Sequence, residues 1–268
     1  MKFRVCRADD LEYLTVSGME GAVHCFTTRR GGVSQGCFAS LNLGIHRGDD
    51  PQRVLENYRR LGNALGFAPE DTVLTHQTHT AIVRAVGWDA RGEGLFRPVP
   101  GDYDALITNT PGVALTVFTA DCTPILLYDP IAGAVGAVHA GWRGTAAGIV
   151  KEAVRAMTIQ YGSKPQNIRA AIGPCIGGCC FETGEEVPHA MVQALGTAAN
   201  ACIRPAEEKY YVDLKGLNRL WLSACGVQAI AVSDDCTKCQ GERFWSHRIT
   251  GNARGSQAAI IMLRKESN

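Results

Sequence analysis

The chain has 268 residues, of which 46% are hydrophobic, and its 27 lysine and arginine residues against 26 aspartate and glutamate residues give a formal net charge of +1. This length can bury a sizeable core, and the ordinary charged fraction of 20% excludes a disordered chain. The near-zero net charge argues against a nucleic-acid or acidic-membrane partner, because both select a basic excess.

Hydrophobic spacing and turn residues predict a series of short strands and a few helices. In chain order they are a strand over 23–28, a helix over 47–66, strands over 73–79, 82–86, 105–108, 114–119, 125–128 and 134–139, a helix over 144–161, a strand over 168–172, helices over 188–195 and 215–225, and strands over 229–232 and 258–263. Many strands are apolar on both faces, which predicts covered sheets. Strands and helices do not alternate strictly, so we expect an α+β fold, and no linker divides residues 1–268 into more than one domain.

Eleven cysteines are many for a chain of this length. The first ten residues lack the apolar segment of a signal peptide, which predicts a reducing, cytoplasmic location. The cysteines are then thiols, metal ligands or catalytic groups. The most apolar stretch, 113–128, is interrupted by Asp121, Cys122 and Pro124, so we expect no membrane span.

A predicted hairpin carries the strongest chemical signal. Residues 129–133 form a plausible tight turn, and a hairpin centred between Pro130 and Ile131 pairs positions whose numbers sum to 261. Cys122 would then lie opposite His139 with Cβ atoms about 5 Å apart, close enough for both to bind one zinc ion. His76 and His79 are the candidates for a third ligand. Three residues apart on a strand they would point to opposite faces, so at most one joins the site, and this reasoning leaves the choice open.

A second group of cysteines offers another possible metal cluster: Cys175, Cys179, Cys180, Cys236 and Cys239. The C-x-x-C pair at 236–239 lies about 56 residues beyond Cys180, and the upstream group is not itself C-x-x-C. That spacing misses the zinc-ribbon pattern and favours packed thiols over a structural zinc.

Two glycine-containing polar loops, 27–34 and 40–44, are suited to phosphate, which main-chain N–H groups and arginines bind well. Arg59, Arg60 and Arg143 are the arginine candidates, although a solvated role is the commoner one for any single arginine. No Walker loop, G-x-S-x-G elbow, H-E-x-x-H or Rossmann fingerprint is present in the sequence, which argues against ATP, NAD and serine-hydrolase chemistry.

At these residues the sequence resembles a known family, and the resemblance extends along nearly the whole chain. The motifs that carry it are HCFTTR (24–29), GGVS (31–34), SLNLG (40–44), QTH (77–79), TADC (119–122), VHAGWRG (138–144), IGPCIG (172–177) and FWSHR (244–248). The family was long labelled laccase-domain or multicopper polyphenol oxidase. Its members are now assigned as purine nucleoside phosphorylases with adenosine deaminase activity, and some are called peptidoglycan-editing factors. Thr80 is a departure, since the family usually has glycine there.

The resemblance implies a layered α/β/β/α fold and one zinc ion held by His79, Cys122 and His139. Three protein ligands leave a fourth position for water or substrate, as catalytic zinc requires. Adenosine, inosine and, as a further candidate, methylthioadenosine would react with phosphate to give the base and ribose 1-phosphate, and adenosine would also be deaminated at purine C6.

The partners expected from this chemistry are a small-molecule nucleoside and phosphate, with no nucleic acid or membrane. Asp121, or Asp104, is the candidate proton carrier. The candidates for contacting ribose or phosphate are Asn42, Arg59 and Arg143. We expect a monomer or a small homo-oligomer.

Three alternatives compete with nucleoside chemistry. A copper-dependent polyphenol oxidase fits poorly, because such enzymes need about ten histidines in paired H-x-H motifs, whereas this chain has seven histidines and no H-x-H. An amidase that edits peptidoglycan precursors would use the same three ligands. A non-catalytic cysteine-rich binding protein is disfavoured, because an open three-ligand site has little structural use.

Overall fold

A computed structural model describes residues 1–265. The strands in this part are β1 (Phe3–Ala8), β2 (Leu11–Val16), β3 (Ala22–Thr27), β4 (Thr72–Leu74), β5 (Val83–Ala85), β6 (Ala105–Thr108), β7 (Ala114–Thr119), β8 (Thr123–Asp129), β9 (Ala134–Ala140), β10 (Arg169–Ile172), β11 (Glu182–Thr183), β12 (Ile203–Ala206), β13 (Lys209–Val212), β14 (Ala229–Val232) and β15 (Gln257–Leu263). The α-helices are α1 (Pro51–Leu65), α2 (Trp142–Ala146), α3 (Ile149–Tyr161), α4 (Glu186–Leu195), α5 (Leu214–Ala224) and α6 (His247–Thr250).

Two six-stranded sheets dominate the fold. The first has the order β1-β2-β3-β15-β7-β4 and is antiparallel except where β4 pairs with β7. The second has the order β14-β10-β8-β9-β6-β5 and is parallel at its two edge pairs, β10–β14 and β5–β6. A small third sheet has the order β11-β13-β12. Both large sheets are therefore mixed, which confirms the predicted α+β class.

The two large sheets pack face to face, and helices cover their outer faces. Side chains such as Phe26 of the first sheet and Leu126 of the second share one buried apolar cluster between them. On the outer face of the first sheet, α1 buries Tyr58 against β3, β7 and β15. On the outer face of the second sheet, α3 and α5 pack over β6, β8 and β9. The result is the expected α/β/β/α sandwich.

The helices follow the predicted pattern with one correction. In α1, the Asp50 carboxylate accepts a hydrogen bond from the Gln52 N–H, Pro51 occupies the first turn, and Gly66 ends the helix in a left-handed conformation. The prediction of a single helix over 144–161 was wrong, because this segment forms two helices, α2 and α3. Gly148 lies between them with a φ of 73°, which no continuous right-handed helix accommodates.

One strand prediction was wrong, and several strands were not predicted. The strand predicted over 73–79 ends at Leu74, and the following residues form a loop in which His79 has a φ of 64°. The argument that His76 and His79 point to opposite faces of a strand therefore does not apply. The polar, alternating strands β1 and β2 and the small third sheet were missed, because they lack the apolar runs that mark the other strands.

The β8–β9 hairpin forms as predicted, but its register differs by two residues. Paired positions sum to 263 rather than 261, because a four-residue loop connects Asp129 to Ala134. The Asp129 carboxylate accepts hydrogen bonds from the N–H groups of Ile131 and Ala132 at 2.8 and 3.1 Å, which stabilises this wider turn. A shift of two residues retains the face on which each side chain lies.

Candidate functional site

A cleft of about 310 Å³ lies where β7 and the start of β8 meet three loops of the first sheet. Its lining residues are Gly44, Ile45, His46, Arg47, Thr75, His76, Gln77, His79, Phe118, Thr119, Ala120, Cys122, His139, Arg254 and Ser256. Imidazole, thiol and guanidinium groups thus share one concave surface, which is typical of a binding or active site.

Three possible metal ligands, His79, Cys122 and His139, come together in this cleft. Their donor atoms all lie within 4.8 Å of one another, and Cys122 Sγ is 3.7 Å from His79 Nε2. The two imidazole rings stand nearly edge to face, with centroids 5.0 Å apart. His139 is buried, whereas His79 is exposed toward the cleft. Two imidazoles and one thiolate form a set that could hold a metal ion.

The predicted direct pairing of Cys122 with His139 was wrong, because His139 pairs with Pro124. Cys122 lies directly before β8, outside the paired residues of the hairpin. A Cβ atom at Gly141 would lie only 2.5 Å from His79 Cδ2 and 3.1 Å from Cys122 Sγ. The glycine therefore leaves the space that these two side chains need to converge.

Asp104 positions two of the three ligands, His79 and His139, through hydrogen bonds. Its carboxylate is fully buried, and it lies 2.7 Å from His139 Nδ1. It also accepts hydrogen bonds from the main-chain N–H of His79 at 3.1 Å and from the N–H and hydroxyl of Thr80 at 2.7 and 2.8 Å. Because Asp104 binds the Nδ1 side, Nε2 of His139 is directed to the metal set. Thr80, the departure from the family pattern, thus supplies two of the hydrogen bonds that fix this carboxylate.

Electrostatic interactions within the triad and with Asp104 shift the pKa values of these groups. Burial opposes the ionisation of Cys122, but the charge and hydrogen bond of His139 and the contact with His79 outweigh it and lower the pKa of Cys122 to about 6. Burial likewise opposes a charge on His139, but Cys122 and Asp104 raise the pKa of His139 to about 9. Burial also works against the Asp104 carboxylate, yet His139 and Thr80 lower its pKa to about 2. A thiolate is therefore favoured at Cys122, and thiolate is the form that binds metals.

The Gln77 side chain fixes the loop that carries His79. Its amide donates to the Phe118 carbonyl at 2.8 Å and its oxygen accepts from the Phe118 N–H at 2.7 Å, so it binds the end of β7 as another strand would. His76, the alternative third ligand, lies 2.6 Å from Asp102 through Nδ1 and lines the cleft without joining the triad.

Asp121, the predicted proton carrier, precedes Cys122 with a φ of 89°. One of its carboxylate oxygens accepts from the Thr237 hydroxyl at 2.6 Å, and the other accepts from the Arg248 N–H at 2.7 Å. Its main-chain carbonyl accepts from the Ile176 N–H at 3.0 Å. These contacts fix the backbone that presents Cys122 to the cleft.

The structure does not bring the predicted ribose and phosphate contacts to the cleft. Asn42 is fully buried, and its side chain bonds to the main chain of Gly44 and Ser256 and to the Asp49 carboxylate. Arg59 lies on the outer surface of α1, 3.9 Å from the Glu56 carboxylate. Arg143 is exposed on α2, with its guanidinium stacked 4.2 Å from the ring of its neighbour Trp142.

Two other arginines, Arg47 and Arg254, line the cleft and were missed. Arg254 Nε is buried without a hydrogen-bond partner in the described part of the chain. Burial, followed by the like charge of Arg47, lowers the pKa of Arg254 to about 10. A signal was available in the sequence, since Arg254 directly precedes Gly255 just as the candidate Arg143 directly precedes Gly144.

The structure also brings together four of the five cysteines that the sequence analysis treated as packed thiols. Their sulfur atoms all lie within 4.8 Å of one another, and we call them the four-cysteine cluster: Cys179, Cys180, Cys236 and Cys239. Sequence spacing missed this arrangement because two loops about 60 residues apart contribute the pairs. Cys175 is buried beside the cluster, and its thiol donates to the Ile176 carbonyl instead.

Fold and cleft together define a class: an α/β/β/α sandwich with a cleft that brings together a His-Cys-His group able to hold a metal ion. A family model described as "Multi-copper polyphenol oxidoreductase laccase" matches residues 23–264, and the chain belongs to this family. Among residues 1–265, no helix has the length and apolar character needed to cross a membrane.

Relatives with assigned names support the same grouping. The chain is 41% identical over 252 residues to "Purine nucleoside phosphorylase YlmD" of Geobacillus stearothermophilus, covering 92% of each chain. It is 43% identical over 242 residues to "Purine nucleoside phosphorylase" of Deinococcus radiodurans, covering 90% of this chain and 88% of that one. The crystal structure of YlmD from Geobacillus stearothermophilus superposes with a TM-score of 0.92 at 39% identity and covers 97% of this chain and 98% of its own.

Proposed function

We propose that this protein is a zinc-dependent purine nucleoside phosphorylase that also deaminates adenosine. The observation that carries the proposal is that the His-Cys-His triad and the arginine pair Arg47 and Arg254 line one cleft. A nucleoside phosphorylase needs both a nucleoside pocket and an anion site beside it. The purine nucleoside phosphorylase names of the relatives support the same assignment.

The donor set fits zinc. His79, Cys122 and His139 offer two imidazole nitrogens and one thiolate, the borderline and soft ligands that zinc accepts, and the cleft leaves a further position open. When bound, zinc would supply a Lewis acid that polarises a substrate group or acidifies water. The chain's part is to orient the ligands, which Asp104 does through His139 and the 78–80 loop.

Arg47 and Arg254 are the proposed phosphate ligands, in place of Arg59 and Arg143. Two guanidinium groups beside one another repel unless an anion lies between them, and Arg254 Nε lacks a partner that phosphate oxygen would supply. Phosphorolysis builds positive charge on the ribose as the bond from C1′ to the base breaks. A phosphate held by this pair would stabilise that charge, and its oxygen would form the new bond to C1′.

Phe118 lines the same cleft and offers an apolar face on which a purine ring can pack.

We assign Asp104 and Asp121 as positioning residues rather than proton carriers, because the oxygens of both carboxylates already accept hydrogen bonds from the protein. None of the eleven cysteines forms a disulfide within residues 1–265, which is consistent with the proposed cytoplasmic location.

The test is a product analysis. Purified, zinc-loaded protein is incubated with adenosine, with and without phosphate, and bases and nucleosides are separated by chromatography. Adenine that forms only with phosphate supports phosphorolysis, and inosine in both tubes supports deamination. Unchanged adenosine in both tubes contradicts the proposal and favours the peptidoglycan-precursor amidase. Oxygen uptake with a phenol and bound copper would favour the polyphenol oxidase.

Matched variants separate the two parts of the cleft. Cys122→Ala should abolish both reactions. Cys37→Ser should abolish neither, because Cys37 is exposed and does not line the cleft. Arg254→Ala should raise the KM for phosphate at least about tenfold by removing a charge-assisted contact, while leaving deamination largely intact. Arg143→Ala should leave the phosphate KM unchanged. If Arg143→Ala raised the phosphate KM and Arg254→Ala did not, Arg143 rather than Arg254 would be the phosphate ligand.

A further inference from the structure

The four-cysteine cluster lies outside the cleft and has no part in the proposed reaction. Cys179 and Cys180 come from the loop that follows β10, and Cys236 and Cys239 come from the loop that follows β14. The strands β10 and β14 are parallel neighbours, so their carboxyl ends bring both loops to the same edge of the second sheet. The fold therefore places the two pairs side by side although about 60 residues separate them.

The spacing of the sulfurs suits a single tetrahedral ion. Cys239 Sγ lies 3.7 Å from Cys179 Sγ and 3.4 Å from Cys180 Sγ. Four sulfurs bound tetrahedrally at about 2.3 Å lie about 3.8 Å apart. A disulfide would need sulfurs at about 2.05 Å, and the cysteines are free. Together with Cys236, all four sulfurs lie within 4.8 Å of one another, close enough to share one ion.

The backbone on both sides is shaped to present these sulfurs. The N–H groups of Cys180 and Phe181 donate to the Gly177 carbonyl at 2.8 and 2.9 Å, which forms a tight turn beneath the first pair. The N–H of Gln240 donates to the Cys236 carbonyl at 3.0 Å and closes the second turn. A Cβ atom at Gly177 would lie 3.1 Å from Cys179 Sγ, so glycine leaves room for that thiol.

The main chain also fixes the position of the Cys236 sulfur. The N–H of Gly177 donates to Cys236 Sγ at 3.2 Å, so the turn that carries the first pair contacts the second pair directly. Cys236 is buried, while Cys179 and Cys239 are exposed, so an ion can enter from the surface and be held against the protein.

We propose that the four-cysteine cluster binds one metal ion through its four sulfurs as a structural site, and that zinc is the ion it takes. Four cysteine ligands close the coordination shell, which is the arrangement of structural rather than catalytic zinc. Binding would join the loops that follow β10 and β14.

The site would also steady the cleft, because both loops contact Asp121. Thr237, inside the C-x-x-C turn, donates its hydroxyl to Asp121 Oδ1 at 2.6 Å. Ile176, just before the first pair, donates its N–H to the Asp121 carbonyl at 3.0 Å. Asp121 directly precedes Cys122. An ion bound by the four-cysteine cluster would therefore stabilise the backbone next to a ligand of the cleft.

Metal content separates the two sites. Cys122→Ala, which removes a cleft ligand, should retain one zinc per chain after purification in reductant and buffer exchange, as measured by mass spectrometry of the metal. The triple variant Cys122→Ala/Cys236→Ser/Cys239→Ser should retain none. Cys122→Ala/Cys37→Ser is the matched control and should still hold one. Zinc absent from the Cys122→Ala protein would overturn the proposal.

Because Cys236 is buried, its replacement carries a folding cost, so a second measurement leaves the cluster intact. The Cys122→Ala protein is loaded with cobalt(II), which should give the intense visible bands and the near-ultraviolet sulfur-to-metal charge-transfer bands of tetrahedral thiolate coordination. A weak octahedral spectrum, or a chain mass that shows a disulfide within the cluster after purification in reductant, would contradict it. Neither result depends on enzymatic activity, so this proposal and the proposed function can fail separately.

Discussion

Replacing Gly141 by alanine should disable the cleft's metal site while leaving the fold intact. The added Cβ would lie 2.5 Å from His79 Cδ2, whereas carbon atoms in contact lie at least about 3.5 Å apart. His79 is exposed and can move, so it would retreat by about 1 Å. Metal–ligand distances tolerate only about 0.2 Å. The displaced ligand should therefore reduce zinc affinity by at least the ~10–100-fold that disturbing a ligand's outer partner costs, or about 1.4–2.8 kcal/mol.

The stability of the same variant should hardly change. Gly141 has a φ of −69°, which alanine adopts without strain, so we expect a loss below about 1 kcal/mol and a Tm shift of a few degrees. Zinc affinity is measured by competition with a chromophoric chelator, and stability by urea unfolding of the metal-free proteins. Gly101→Ala is the matched control, since its Cβ would meet nothing nearer than 3.9 Å. Wild-type zinc affinity in Gly141→Ala would refute the proposed convergence of His79 and Cys122 on one ion.

Two further predictions concern buried carboxylates. Asp104→Asn should weaken zinc binding about 10–100-fold, because the amide no longer fixes His139 as the carboxylate does, and chelator competition measures this loss; unchanged affinity would contradict the orienting role. Glu12→Gln should destabilise the protein by about 1.5–3 kcal/mol at pH 7 in urea unfolding, because Arg243 loses the nearer of its two carboxylate partners, at 2.7 Å. Burial opposes ionisation of Glu12, but Arg243 and two further arginines lower its pKa, so its contribution is present above 4.5, the ordinary glutamate value, and is lost as pH falls through the lowered pKa. The gap between wild type and Glu12→Gln should therefore narrow in acid, and a constant gap would contradict this assignment.

Apolar runs made most of the sandwich predictable. Strands such as β8, β9 and β15 are buried along their whole length and read as continuous hydrophobic segments, and α1 has both a capping aspartate and a terminal glycine. Gly148 shows why the helix over 144–161 was not predictable in detail. A glycine within a helical pattern is usually tolerated, and only tertiary packing determines that it takes a left-handed conformation.

The site was predictable where chemistry and local pairing coincide, and not where it depends on distant loops. Cys122 and His139 come together at the end of the hairpin even though the register differs by two residues, because side-chain direction repeats every second residue. His79 reaches them through a loop with a left-handed residue, which residue spacing does not reveal. Arg254 enters the cleft from the far end of the chain, and the glycine that follows it does not reveal that it meets Arg47 there.

The placement of the histidines favours single-metal chemistry over the multi-copper description of the family. A multi-copper oxidase needs several copper ions, and imidazole is a ligand that suits copper. Here His24 is buried with both ring nitrogens engaged by the main chain, and His247 Nδ1 contacts the carbonyl of Gly251. His76 contacts Asp102 instead of joining the triad. Within residues 1–265, the triad is the only potential metal-binding group that contains histidine, and the other group consists of four cysteines. The His-Cys-His group beside two arginines suits the proposed Lewis-acid catalysis of a reaction that uses phosphate, and the four-cysteine cluster suits the proposed structural ion.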